Sequence, residues 1–310
     1  MKRIKFIVPT LLLGLTLSGC SLVSNLFNNS KKEPSFENKG EEVTVLEFSS
    51  RLLDAYKGSK LYYDSNNHLP SMSATANVYM KQSEKNVNGK NKSEDSLEVT
   101  GKGTYKYDSN NLVATTATET KYTQKMKSPY GSNSGSATYK QDNVAQISNG
   151  KLYTIDKLYK TYQETELGSS TDERQMMDQV VGSQVNSLIN FSSVTSNEKA
   201  KYYINGDIFT VSIDDTESEA LTNWADEKVG YKDITTKATY QLNLAKFTMK
   251  QSDKTTYHYE YTQAYNSYDK GDVVDRESVT YGTSTIKFSN VKIETLSLSG
   301  YRKTSSSYDY

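Results

Sequence analysis

Apolar residues fall along the chain in three rhythms. The first is almost unbroken: Phe6 to Leu17 is a predominantly apolar run of 12 residues. The second repeats every three or four residues. Val45, Phe48, Leu52 and Tyr56 line one face of a helix. Thr44 and Glu47 stand at capping-box spacing before it, and Lys57, Gly58 and Lys60 stop it, so a helix is predicted over 44–57. The third rhythm is two. From about Ser71 to Thr165 the set Met72, Ala74, Ala76, Val78, Met80 alternates with polar residues, and Thr and Tyr, both at home in strands, dominate the remainder of the stretch. Turn residues at 108–111, 130–135 and 148–150 divide this stretch into a meander of about six antiparallel strands. Asn149-Gly150 is its strongest hairpin signal.

The helical rhythm returns between Ser170 and Val194. Ser170 and Glu173 again have capping-box spacing. Met177, Val180, Val181, Val185 and Leu188 form an apolar stripe broken by Gln184, with Met176 and Ile189 beside it. A helix of roughly 20 residues is expected there. Tyr202-Tyr203-Ile204, Asn205-Gly206-Asp207 and Ile208–Ile213 read as a hairpin. Thr216 and Glu219 suggest a short third helix carrying Ala220, Leu221 and Trp224. From Ile234 to Leu298 the two-residue period resumes, with Tyr257, Tyr259 and Tyr261 alternating along one stretch. Residues 301–310 read as a polar tail. The order helix, meander, helix, hairpin, short helix, meander is α+β rather than alternating βα units.

Composition narrows the function. Hydrophobic residues make up 35% of the chain, too few for a polytopic helical membrane protein. The single Cys excludes a disulfide framework, and His68 and His258 alone offer little to a metal centre. Lys and Arg number 37, as do Asp and Glu, so nothing draws the chain to nucleic acid. No cofactor is implied.

The N-terminus carries an address. Lys2, Arg3 and Lys5 precede the apolar run, and Leu17-Ser18-Gly19-Cys20 closes it. A basic start, a short apolar region and small residues at its end are the marks of an export signal. The run is shorter than the about 20 residues of a membrane-spanning helix. Leu17-Ser18-Gly19-Cys20 resembles the lipobox of bacterial lipoproteins and uses the only Cys in the chain. The resemblance implies cleavage after Gly19, lipidation of the Cys20 thiol, and anchoring on the extracytoplasmic face of the cell membrane. Residues 1–19 would then be a signal peptide and 20–42 a lipidated, flexible tether rich in Ser, Asn, Lys and Glu. A single folded domain would occupy 43–300. Removal of Lys2, Arg3 and Lys5 leaves 34 basic residues against 37 acidic ones.

The order of elements resembles the lipoprotein-carrier and LppX-like family. Asn149–Ile155 leading to Tyr159–Tyr162 looks like the short hairpin before the central helix of such proteins, and Lys201–Asp207 like the strand pair after it. The resemblance implies a strongly curved antiparallel β-sheet, a half-barrel, with about three helices, the central one packed on the concave face. It also implies an apolar ligand, such as a lipid, between sheet and helix, lined by Met176, Met177, Val180, Val181, Val185 and Leu188. The alternative is a surface-interaction or structural envelope lipoprotein, with a partner protein in the envelope and no small-molecule pocket.

Other constellations read as structural. His258 and Glu260 share a strand face and suit a surface ion pair. The repeated Tyr-Asp-Ser-Asn-Asn at 63–67 and 107–111 is turn chemistry without the acidic spacing of a Ca²⁺ loop. Gly131–Gly135 lacks the strand–turn–helix setting of a nucleophile elbow, and the Ser284–Lys287 pair lacks its Lys-Thr-Gly partner. No nucleophile–base set is apparent, so an enzyme is not expected. The 25 tyrosines are explained most simply as cross-strand pairs on a half-exposed sheet.

Overall fold

The computed structural model describes residues 31–62, 69–108, 111–166, 198–264, 266, 268–294 and 297–304. These form one helix and a single sheet of thirteen strands. Strand β1 (Glu41–Val43) leads into α1 (Val45–Lys57). The meander comes next: β2 (Met72–Asn88), β3 (Asn91–Tyr107), β4 (Leu112–Ser128), β5 (Gly131–Ser148), β6 (Lys151–Asp156) and β7 (Thr161–Glu166). The second block holds β8 (Lys201–Asn205), β9 (Ile208–Thr222), β10 (Lys228–Asn243), β11 (Thr248–Tyr261), β12 (Val273–Phe288) and β13 (Arg302–Lys303).

The two strand blocks join into one sheet through β12 and β2, which pair antiparallel from Val273–Val87 to Phe288–Met72. The order across the sheet is β1-β8-β9-β10-β11-β12-β2-β3-β4-β5-β6-β7-β13. All pairs are antiparallel except that of β7 with β13, a short strand inside the expected polar tail.

The expectation of an α+β fold with three helices is corrected. Strand dominates the described residues, with α1 as their one helix. The expected short helix after Thr216 is the outer half of β9. Strand β10 offers a partner over this whole length, with Thr216 opposite Thr235 and Ala220 opposite Tyr231. That ladder outweighs the local capping signal. The expected central helix, with Met176, Met177, Val180, Val181, Val185 and Leu188, lies outside the described residues, as do Gly19 and Cys20.

Residues opposite each other in an antiparallel pair point to the same side, so the register divides the sheet into two faces. Helix α1 defines the first. Thr44 caps it, its hydroxyl accepting from the Glu47 N–H at 3.2 Å. Its apolar stripe, Phe48, Leu52 and Tyr56, packs on Tyr202, Ile204, Phe209 and Val211. Met72, Tyr107, Leu112, Ile147, Leu242 and Ile286 extend this core along one end of the sheet.

Residues 31–40 run as a strap across the opposite face. Lys31 pairs with Glu98, and Ser252 donates to Glu33 Oε1 at 2.7 Å. The Lys250 ammonium meets the Ser35 carbonyl at 2.7 Å. The Glu37 N–H donates to Gln241 Oε1 at 2.8 Å, and Gln241 Nε2 returns a bond to the Glu37 carbonyl at 3.0 Å. Lys246 and Asn243 hold the Glu37 carboxylate, and these bonds keep its pKa below the usual range. The expected free tether over 20–42 is therefore fastened from residue 31 onward.

The strap turns into β1 at Gly40, where φ is +85°. A Cβ there would collide with the Ile204 carbonyl, and only Gly tolerates this backbone readily. Gly40→Val should lift the strap end and β1, lowering stability by about 2 kcal/mol. Limited proteolysis should then cut within 31–43 at least several-fold faster than in the parent protein. Unchanged cutting would show that the strap is held independently of this turn.

Candidate functional site

The half of the sheet beyond the core carries the β9–β10, β11–β12, β2–β3 and β4–β5 hairpin ends. Most residues there remain partly exposed on both faces; the buried exceptions among the described residues are Val229, Gly230, Asp272, Val274 and Val279. A strand exposed on both faces needs side chains with strand preference that tolerate water. Thr, Tyr, Lys and Glu meet that need. Cross-strand pairs hold it together: Lys140–Glu119 at 3.2 Å, Lys232–Glu219 at 2.7 Å and Lys125–Glu94 at 3.6 Å.

On the helix face of this half stands a ladder of tyrosines. Tyr257 and Tyr259 succeed one another on β11, rings stacked at 6.3 Å and 20°. Tyr261 stacks on Tyr268 at 4.4 Å and 5°. Arg276 on β12 lies 5.4 Å over the Tyr259 ring while its Nε donates to Glu84 Oε2 at 2.7 Å. Tyr257 and Tyr259 thus stack along one strand, whereas the cross-strand tyrosine pairing expected from the sequence is seen at Tyr79 and Tyr281, with ring centroids 5.8 Å apart. Arg276 was not singled out by sequence, since its place depends on the β11–β12 register, with Tyr257 opposite Arg276.

Next to this ladder, Asn86, Ser93, Met126 and Asn133 form one rung across β2 to β5. They line an open cavity of about 560 Å³ between the hairpin ends, with Asn88, Asn91 and Tyr130 at its rim. The Tyr122 phenol donates to Asp95 Oδ1 at 3.3 Å.

The sheet also has open edges. Strand β6 covers β5 only over Asn143–Ser148, and β8 covers β9 only over Ile208–Ser212. Among the described residues, no strand pairs with the outer side of the rest. The β9 edge carries Asp214, Asp215, Glu217 and Glu219, charges of the kind that discourage strand addition. The β5 edge from Gly131 to Tyr139 carries none.

Deeper on the helix face, the Tyr240 phenol donates to Asp253 Oδ2 at 2.8 Å. Burial pushes the Asp253 carboxyl above its usual range, and burial with the Asp253 charge pushes the Tyr240 phenol far above its own. The folded state therefore holds the Asp253 proton more tightly than the unfolded chain does. Stability from this group is lost as pH rises through the raised value and regained on acidification. Asp253→Asn keeps an acceptor for Tyr240 and removes the buried charge. Its melting temperature should exceed that of the parent protein at pH 7, and the gap should close towards pH 4. A variant equally destabilised at both pH values would mean that the carboxylate is favourably paired.

His258 and Glu260 do lie on one face, but each bonds elsewhere. His258 Nδ1 is 2.7 Å from Asp275 Oδ1, and Glu260 accepts from the Tyr231 hydroxyl. Cross-strand neighbours are nearer than residues two apart along a strand. At the 107–111 turn the Asn111 N–H donates to Asp108 Oδ1 at 2.8 Å, which is the expected turn chemistry.

No family model matches the chain, and no curated protein matches it. Solved structures show slight similarity, among them three at 8% identity each. Pseudomonas aeruginosa OccK7 (OpdD) gives a TM-score of 0.21 over 70% of this chain and 99% of that one. Pseudomonas putida OprB gives 0.22 over 82% and 100%. The transport unit of the autotransporter AIDA-I from Escherichia coli gives 0.21 over 78% and 98%. At TM-scores this low the likenesses carry no argument.

Proposed function

We propose that this protein is a lipoprotein of the extracytoplasmic membrane face, anchored through Cys20, that offers its open sheet to a partner protein in the cell envelope. The observation that carries this reading is the tyrosine ladder at Tyr257, Tyr259 and Tyr261 with Arg276 beside it. Tyr and Arg supply large contact area with few rotamers to freeze, and both are enriched where proteins bind proteins.

A photocrosslinking side chain placed at Tyr259 tests this in intact cells. A discrete crosslinked band is expected from position 259 and none from Thr256, which faces the other way. The absence of a band from Tyr257, Tyr259 and Tyr261 alike would count against the ladder as a contact surface.

A second reading has an observation in its favour. Met80, Leu97 and Val99 lie half-exposed on the helix face, continuing the apolar core outward. A bound acyl chain would cover them, as the carrier resemblance suggests.

A further inference from the structure

Four hairpins end side by side at the open end of the sheet: β9–β10, β11–β12, β2–β3 and β4–β5. The two outermost each hold an aromatic side chain out from the fold. Trp224 is 92% exposed and Tyr130 is 100% exposed. Trp is usually well buried, and this is the only Trp in the chain. Its turn is built firmly. Asn223 Oδ1 accepts from the N–H groups of Ala225 and Glu227 at 2.9 and 3.0 Å, and Asn223 Nδ2 donates to Glu227 Oε2 at 2.8 Å. The opposite end turns at Asn149-Gly150, at Asn205-Gly206-Asp207 and at 244–247, where the aromatic residue, Phe247, folds back edge-to-face on Phe288 at 4.7 Å instead of standing out.

The strap limits how far this end can stand from a membrane. Lys31 is tied to Glu98, halfway along β3 on the strap face. Lys31 stands eleven positions after Cys20, and a fully extended chain over that span reaches about 40 Å at most. From Glu98 to the start of β3 at Asn91 is about 23 Å at the rise of a strand. The hairpin ends are therefore within reach of any bilayer that holds Cys20. An amphipathic ring with a polar N–H or O–H is the side chain that collects at the boundary of headgroups and acyl chains. Lys90, Lys127 and Lys228 lie in or next to these turns and suit lipid phosphates.

We propose that Trp224 and Tyr130 seat in the headgroup region of the membrane that carries the Cys20 anchor, so that the sheet stands on its hairpin ends with both faces open sideways. The inference rests on the proposed Cys20 anchor. It gives the tyrosine ladder free access to partners from the side.

The single Trp is its own reporter. The mature lipidated protein is reconstituted into vesicles of phosphatidylcholine and phosphatidylglycerol, with spin-labelled lipids carrying the label near the headgroup or near the chain end. Trp224 emission should shift to the blue relative to the unlipidated Cys20→Ala protein in buffer. The shallow label should quench it roughly twofold more than the deep one. In a Trp224→Phe background, Tyr130→Trp should behave likewise. Emission that stays water-like and unquenched in protein that floats with the vesicles would overturn the inference and leave the anchor standing. Failure to float would overturn the anchor reading, and this inference with it.

Discussion

Replacing Cys20 with Ala should move the protein from the membrane pellet to the soluble fraction and abolish incorporation of labelled palmitate. The thiol is the only one in the chain, so no second site can take its place. Each acyl CH₂ buried in the bilayer contributes about 0.8 kcal/mol, and two or more chains make anchoring stable where one is marginal. The aromatic hairpin ends alone offer two side chains, each worth at most a few kcal/mol on burial. Loss of the acyl chains should therefore decide the partition outright. A Cys20→Ala protein that stays in the pellet and still takes up palmitate would refute the lipobox reading.

Phe48→Ala should be the most damaging of the core substitutions. Phe48 is 1% exposed and touches two other rings, Tyr202 at 5.3 Å and Phe209 at 5.7 Å in an edge-to-face arrangement. It is the central residue through which α1 docks on the sheet. Truncating a buried Phe costs about 3–5 kcal/mol, a large share of the roughly 5–15 kcal/mol that holds a domain folded. At about 2–4 °C per kcal/mol for a large domain, the melting temperature should fall by about 10 °C. Leu46→Ala, on the same helix but 81% exposed, should leave it within about 2 °C. Equal effects from the two would mean that α1 is not seated by its Phe48 face.

Much of this architecture was legible because its signals are local. The capping box at Thr44 and the three- and four-residue spacing of Phe48, Leu52 and Tyr56 marked α1. Asn149 and Gly150 both take positive φ, at 54° and 72°, and turn β5 into β6 as that pair favours. Six strands fill the first meander. The segment after Thr216 misled because its Glu, Ala and Leu prefer helix, while the decision lay with Lys232, Tyr231 and Thr235 across the ladder. The strap was hidden for the same reason. Glu37 and Gln241 exchange two bonds across a separation of 204 residues, and composition alone reads such a stretch as a tether. The tyrosine spacing was visible, but the Arg276 that lies over Tyr259 was not, because it needed the register of a neighbouring strand. His258 was paired in sequence with the wrong carboxylate for want of that same register.

The central claim is that the sheet works as an open contact surface rather than as a wall around a lipid. The most direct measurement uses the Cys20→Ala protein, which carries no covalent lipid. It is purified natively from the cell of origin without detergent, extracted with organic solvent, and the extract is analysed by mass spectrometry against a control protein. The contact-surface reading predicts an extract with no lipid in proportion to protein. One lipid per chain, recovered reproducibly, would contradict it and return the function to lipid carriage, with Met80, Leu97 and Val99 as the first residues to substitute.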